Sequence, residues 1–375
     1  MRVLHVYSGN LYGGIETLLV TLARCQHLFP AMTHEFALCF EGRLMTELKA
    51  AGAVVHMLGG VRASRPLSIW QARRRLCSVL RQHSPDVVIC HSAWPHALFA
   101  KEVRQAGRPL VFWLHGATEG NHWTERMARR TPPDLAICNS RFTAEMLPKI
   151  WPNVQREVFY YLVGMPVHNY SLTERVAIRA ELQTPEDTAV IIQVSRMEEW
   201  KGHLLHLEAL KLLRDLPGWA CWMVGGAQRP SEASYMGELR QTAAQQGIAE
   251  RIHFLGQRVD VPRLLAAADI HCQPNTGPEP FGITFIEALY AQLPVVTTAL
   301  GGACEIVDAT CGALVRPHDA TALAAALRLL LTDPARRAAL GAGGPARARQ
   351  LCDPAKQTRR LAELLARAVT QEAFV

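Results

Sequence analysis

The sequence has no apolar run long enough to cross a membrane. Its longest, such as 322–331, are alanine-rich and broken by Arg328, well short of the roughly 18 apolar residues a spanning helix needs. The first residues lack the apolar core and small-residue cleavage site of a secretory leader, so the chain is expected to be cytoplasmic. Its ten cysteines include no Cys-x-x-Cys pair, and Cys39, Cys90 and Cys138 sit inside apolar runs. This pattern predicts small buried thiols rather than disulfides or metal ligands. Fifteen histidines are present without a His-Glu-x-x-His motif, and "HLLH" at His203 and His206 reads as a helix face. No metal and no cofactor are therefore expected. Internal repeats and low-complexity tracts are absent. An aromatic-rich basic stripe is also absent, which argues against nucleic acid.

At 375 residues and 49% hydrophobic, the chain exceeds one ordinary core and predicts about two domains. Residues 1–165 hold 19 Lys/Arg against 11 Asp/Glu, whereas 166–375 hold 21 against 22. The whole basic excess thus lies in the first half. Clusters at Arg62, Arg65, Arg73, Arg74, Arg75 and Arg81, and at Arg126, Arg129 and Arg130, read first as solvated helix faces. Their functional alternatives are an anionic acceptor and peripheral contact with the inner membrane face.

Apolar segments with strand character alternate with helical spacing from the start: "RVLHVY", "HEFALCF", "AVVHML", "DVVIC", "PLVFWLH", "DLAICN" and "EVFYY". Helical stretches such as 69–82 and 143–150 run between them. After a Gly/Pro/Asn-containing link at 163–171 a second set begins: "AVIIQVS", "WACWMVGG", "RIHFLG", "DIHCQP" and "PVVTT". Alternating strands and helices predict two α/β, doubly wound parallel-sheet domains, 1–165 and 166–353, with a cleft between them. Ligands of such sheets bind beyond the carboxyl ends of strands. The tail from 320 is helical, with "DPARR" and "CDPAKQTRR" giving two Asp-Pro helix starts.

The turn "GNLYGGIETL" after the first strand lacks the spacing of a dinucleotide fingerprint. Gly9 and Gly14 match the outer glycines of a phosphate-binding P-loop, but Ile15 and Glu16 replace its Lys and Ser/Thr. A Walker-type NTPase is excluded. What remains is either a turn whose glycines admit a ligand to backbone N–H groups or a plain tight turn. In "VSRMEEWKGH", Arg196 and Lys201 flank a loop after a strand, suited to a diphosphate or simply a surface pair. Glu198 and Glu199 between them are expected to face solvent. "PEPFGITFIEA" places the amides of Gly282, Ile283 and Thr284 at a helix start, where free N–H groups favour phosphate. Glu287 follows four residues after Ile283, about 6 Å along the axis, a fit for a ribose. Glu279 and Glu287 read alternatively as a glycosidase acid and base, which leaves the two cations without a purpose.

Taken in order, these pieces resemble the retaining nucleotide-sugar glycosyltransferases of GT-B architecture, glycosyltransferase family 4. The likeness runs through the glycine pair, "FWLHG", "CNS", Arg-x4-Lys, "VGG", "FLG" and Glu-x7-Glu. It implies two Rossmann-like domains, an N-terminal one for the acceptor and a C-terminal one for the donor, with a last helix at about 354–375 crossing back onto the first. It assigns Arg196, Lys201, Ile283 and Thr284 to the donor diphosphate and Glu287 to the ribose. Glu279, Phe281 and Gly282 are assigned to the transferred sugar, and Gln257 and Arg258 to the base. From the first domain it brings His115 toward the donor sugar and Gly13 and Gly14 beside the diphosphate, with Asn139 and Ser140 on the acceptor side. His115, Arg196, Lys201 and Glu279 are the catalytic candidates. The implied reaction is metal-independent transfer of a hexose from a UDP- or GDP-sugar to an acceptor hydroxyl, retaining configuration, in glycan, polysaccharide or glycolipid synthesis. A nucleotide-sugar 2-epimerase or phosphorylase on the same fold, and a non-catalytic nucleotide-sugar-binding protein, are the alternatives.

Overall fold

A computed structural model describes residues 1–371, apart from 11, 63 and 165–170. The expected link at 163–171 and the last four residues of the expected helix 354–375 lie largely outside these. The chain divides into two compact units, Met1–Gly164 with the residues from Cys352 onward, and Met165–Leu351.

In the first unit β1 (Arg2–Tyr7), β2 (Thr33–Leu38), β3 (Val54–Met57), β4 (Val87–His91), β5 (Leu110–Leu114), β6 (Leu135–Cys138) and β7 (Arg156–Val158) form a parallel sheet ordered β3-β2-β1-β4-β5-β6-β7. β4 and β5 are buried at every position, as strands covered by helices on both faces must be. The strand order reverses between β1 and β4. The helix Pro354–Gln371 completes this unit, burying Leu361, Leu364 and Leu365 while Arg360 donates to the Val158 carbonyl at 2.6 Å. Both Asp-Pro starts behave as expected. Asp333 and Asp353 accept from the amides of Arg336 and Lys356 at 2.9 Å, and the proline that follows each aspartate opens its helix.

The second unit has β8 (Ala189–Val194), β9 (Trp219–Val224), β10 (Ile252–Gly256), β11 (Ile270–Gln273), β12 (Val295–Thr298) and β13 (Gly312–Val315), parallel and ordered β10-β9-β8-β11-β12-β13. The edge strand β13 has four residues, two of them Gly and Ala, and carries no apolar signal of its own. Here the order reverses between β8 and β11. Their starts are pinned by Arg179, 1% exposed, whose Nη2 lies 2.7 Å from Asp269 Oδ2 while Asp269 also accepts from the Val190 amide at 2.7 Å. The reversal leaves the loops after β8 and β11 free to line one crevice at the carboxyl ends of the strands.

All ten cysteines are free thiols, and seven are buried. Among the described residues no helix is long and apolar enough to cross a membrane.

Candidate active site

In the second unit, the loops on either side of the reversal bring the expected cations and carboxylates together. After β8 the chain makes a short turn, Glu199–Lys201, and enters the helix His203–Lys211 through Gly202 at φ +73°. A Cβ at Gly202 would collide with the Pro274 carbonyl oxygen, so this close approach of the two loops requires glycine. The result sets Lys201 Nζ 2.6 Å from Glu279 Oε2 and 3.9 Å from the centre of the Trp200 ring. Glu279 Oε2 also accepts from Asn275 Nδ2 at 3.1 Å and Gln273 Nε2 at 3.2 Å. Its Oε1 has no partner among the described residues. Gln193 Nε2 holds the Lys201 carbonyl at 3.0 Å, and His206 Nδ1 lies 2.8 Å from Gln193 Oε1. "HLLH" is thus a buried helix face that supports the loop, with desolvation pushing His206 down to about 3 and His203 to about 4.

Arg196 and Lys201 are not equally available. Arg196 Nη2 pairs with Glu198 Oε2 at 2.9 Å, and Trp200 Nε1 donates to the same oxygen at 3.0 Å. Glu198 was expected to face solvent; it turns toward the cation because two donors converge on it, while Glu199 is exposed. Arg196, Glu198, Trp200, Lys201 and Glu279 therefore form one continuous charged row.

The helix Ile283–Tyr290 begins at Gly282, φ +103°, with no side chain capping its first amides. The leading N–H groups of a helix have no intrahelical acceptor and carry its positive partial charge. Phe281 is buried beneath this turn, and the Glu279 carbonyl accepts from the Gly302 amide at 2.7 Å. One turn along the helix, Glu287 is half-buried and its carboxylate finds no hydrogen-bond or ion-pair partner among the described residues. Loss of hydration raises its pKa from 4.5 to about 7. Gln257, at the end of β10, is exposed beside the close turn at Gly226. Arg258 is committed elsewhere. Its guanidinium is held by Asp260 at 2.8 Å and Glu181 at 2.9 Å, which leaves its backbone, rather than its side chain, for a ligand.

In the first unit, Gly13 precedes the helix Gly14–Arg24 and donates its amide to Glu16 Oε2 at 2.8 Å, while Tyr7 donates to Glu16 Oε1 at 2.7 Å. The place of the P-loop Ser/Thr is filled by the buried carboxylate of Glu16, which fastens the turn. His115 is 7% exposed and both its ring nitrogens are bonded within the unit, to His91 and to the Tyr161 hydroxyl. Asn139 and Ser140, expected on the acceptor side, are buried. Asn139 binds the His115 carbonyl and the Tyr161 oxygen at 3.2 Å each, and Ser140 caps the helix Arg141–Met146 through the Thr143 amide. Both residues make these bonds within the first unit. Of the basic clusters, Arg73, Arg75 and Arg129 spend donors on carbonyls of their own unit.

Among the described residues one group has the make-up of a metal site: Glu35, His56 and His83, with ligand atoms within 4.8 Å of one another. Glu35 Oε2 already accepts from His56 Nε2 at 2.8 Å and lies 3.1 Å from His83 Nδ1, while Arg2 Nε lies 3.5 Å from its Oε1, so Arg2 balances the carboxylate without an ion.

Sequence reasoning did not pick out Gln273, Asn275 or Tyr161. The first two carried a usable signal, as polar residues closing an apolar strand at the carboxyl edge of the sheet.

Residues 12–158 match the profile of Glycosyltransferase Family 4, and residues 174–347 that of Glycosyl transferases group 1. The chain is 27% identical over 348 residues to the lipopolysaccharide core biosynthesis glycosyltransferase LpsD of Rhizobium meliloti, spanning 92% of both chains. It is 30% identical over 288 residues to the core mannosyltransferase LpsB of the same organism, covering 76% of this chain and 74% of LpsB. Among solved structures, Anabaena HepE in complex with UDP-glucose superposes with a TM-score of 0.85 at 25% identity, over 98% of this chain and 99% of HepE. With both family profiles matched in order, and two parallel α/β sheets that share the GT-B fold, the chain belongs to the group 1, family 4 glycosyltransferases.

Proposed function

We propose that this glycosyltransferase takes a hexose from a UDP- or GDP-sugar held by the second unit and passes it, with retention, to a sugar or lipid-linked acceptor served by the first. The observation that carries the reading is the Lys201–Glu279 pair beside an uncapped helix start, with an unpartnered carboxylate at Glu287 one turn on. Lys201 has three N–H donors and Glu279 uses one, so two are left for phosphate oxygens. Arg196 and the amides of Ile283 and Thr284 supply the remaining donors. Glu279 Oε1 accepts a hydroxyl of the transferred sugar, and Glu287 accepts from the ribose.

When the sugar C1–O bond breaks, negative charge develops on the diphosphate, and these donors stabilise it without a metal ion. Loss of one such preorganised donor typically costs about 10²–10³ in rate. A phosphate oxygen takes the acceptor proton. His115 and the Gly13–Gly14 turn contribute to the transfer step from the first unit.

HepE bound to UDP-glucose supports the donor class, and the R. meliloti lipopolysaccharide core enzymes support a lipid-linked glycan acceptor. Arg62, Arg65 and Arg74, with Leu67 76% and Trp70 53% exposed beside them, make a basic and apolar surface fit for an anionic membrane. The test is nucleoside diphosphate release in the presence and absence of a lipopolysaccharide-type acceptor. Release that requires the acceptor supports transfer; epimer formation without an acceptor would replace it with the epimerase reading.

A further inference from the structure

Four histidines of the first unit are hydrogen-bonded ring to ring across its sheet. His34 Nδ1 lies 2.9 Å from His5 Nε2, His5 Nδ1 2.9 Å from His91 Nε2, and His91 Nδ1 2.8 Å from His115 Nε2. His115 Nδ1 then meets the Tyr161 hydroxyl. The rings stand on β2, β1 and β4 and just past β5, four successive neighbours in the sheet. His34 is in register with Val3, two residues before His5; His5 with Ile89, two before His91; His91 with Trp113, two before His115. Each step crosses one strand and advances two residues, about 6.6 Å, so every ring stays on one face. The row climbs diagonally to the carboxyl edge of the sheet, with successive ring centres 5.1 Å apart.

All four rings are buried. Desolvation holds His34 down to about 4, His115 to about 3, and His5 and His91 well below the usual histidine value, so each is neutral near pH 7. A neutral imidazole offers one N–H and one bare nitrogen. Each ring-to-ring bond needs one of each, so the choice at one ring dictates the choice at the next. Either all four carry the proton on Nε2 or all four carry it on Nδ1. A break in the sense would leave buried groups unpaired, at about 1–3 kcal/mol each.

The Tyr161 end selects the sense. Thr143 Oγ1 donates to Asn139 Oδ1 at 2.8 Å, which turns the Asn139 amino group toward the Tyr161 oxygen at 3.2 Å. The Asn139 donor on the Tyr161 oxygen favours the sense in which Tyr161 donates its O–H to His115 Nδ1. His115 Nε2–H then donates to His91, His91 to His5, and His5 to His34.

We propose that His34, His5 and His91, locked in the Nε2–H sense by Asn139 and Tyr161, are positioning residues that fix the tautomer and orientation of His115. The role in transfer rests on the reading of His115 given above; the tautomer lock does not.

The test is imidazole nitrogen NMR on the full chain without substrate, paired with kinetics. The wild type should show all four rings as the Nε2–H tautomer. Tyr161→Phe removes the selecting hydroxyl, and the Nδ1–H fraction should rise equally at all four rings, His34 included. His34→Leu removes the acceptor at the far end and should move His5, His91 and His115 together toward Nδ1–H. His34→Asn, which keeps an acceptor at that place, should restore the wild-type pattern. Rings with unequal tautomer fractions, or a change confined to the ring beside the substitution, overturn the lock in either series. Coupled shifts with an unchanged kcat overturn the positioning role, which predicts a loss of about tenfold in kcat with donor KM retained. Full kcat in His115→Ala would instead overturn the use of His115 in transfer while the nitrogen shifts still judge the row.

Discussion

Lys201 Nζ and Glu279 Oε2, 2.6 Å apart, join the loop after β8 to the loop after β11 at the point where the strand order of the second unit reverses. Neither loop alone makes a site. The pair, flanked by Trp200, Gln273 and Asn275, supplies a half-neutralised cation beside a helix start.

Removing either member should slow transfer, and only the loss of Glu279 should leave nucleotide binding largely in place. Lys201→Ala is expected to lower kcat/KM by about 10²–10³. It also leaves Glu279 buried without its cation, so a fall in thermal midpoint should accompany it. Glu279→Gln keeps the shape and the neutral hydrogen bonds, and should lower kcat with a smaller change in nucleotide affinity. Steady-state kinetics and nucleotide titration on the same preparations check both.

On the proposed ribose contact, donor affinity should depend on pH through Glu287, because ribose hydroxyls would donate to the ionised carboxylate, which forms only as the pH rises through about 7. Nucleotide affinity should therefore strengthen severalfold between pH 6 and pH 8 in the wild type and stay flat in Glu287→Gln. Stability runs the other way. The folded pKa lies above the ordinary 4.5, so the stabilisation tied to this proton is present below pH 4.5 and lost through pH 7. The thermal midpoint of Glu287→Gln relative to wild type should rise from pH 5 to pH 8.

Arg179 is a stability residue with no part in the site. Its guanidinium bridges Asp269 and the carbonyls of Pro185, Glu186, Thr188 and Ala267. Arg179→Leu leaves Asp269 with Arg175 as its remaining cation and takes the donor from several carbonyls, and a loss of about 1–3 kcal/mol in denaturant unfolding is expected.

The exposed pair Leu67 and Trp70, with Arg74 stacked 4.7 Å over the Trp70 ring, predicts a membrane contact. Leu67→Ser with Trp70→Ala should weaken sedimentation with anionic vesicles severalfold at unchanged thermal midpoint. Neutral vesicles should bind poorly in both proteins.

The alternation of apolar runs was enough to read twelve of the thirteen strands among the described residues, because central strands such as β4 and β5, buried at every position, announce themselves as continuous apolar runs and the edge strands follow in the same rhythm. The thirteenth, Gly312–Val315, is too short and too small in side chain to do so. The meeting of Lys201 and Glu279 was legible because each lies in a short glycine-containing loop after a strand, and Glu287 because it follows one turn into the helix that begins beside Glu279. The turn of Glu198 toward Arg196 was not, since a loop acid gives no sign of its direction. Nor was the histidine row. Its bonded members lie 29, 86 and 24 positions apart, and only the strand register sets them side by side.

The central claim is that the second unit holds a nucleoside diphosphate sugar on Lys201, the helix beginning at Ile283, and Glu287. The most direct measurement is a thermal-shift panel of UDP-, GDP- and ADP-sugars on the wild type, Lys201→Ala and Glu287→Gln. At a ligand concentration about 100-fold above Kd, binding stabilises the fold by about 2.7 kcal/mol, enough to move the midpoint by a few degrees. Such a shift is expected with UDP- or GDP-sugars in the wild type, and its loss in both variants. No shift with any of the nucleotide sugars, or equal shifts in all three proteins, would contradict it.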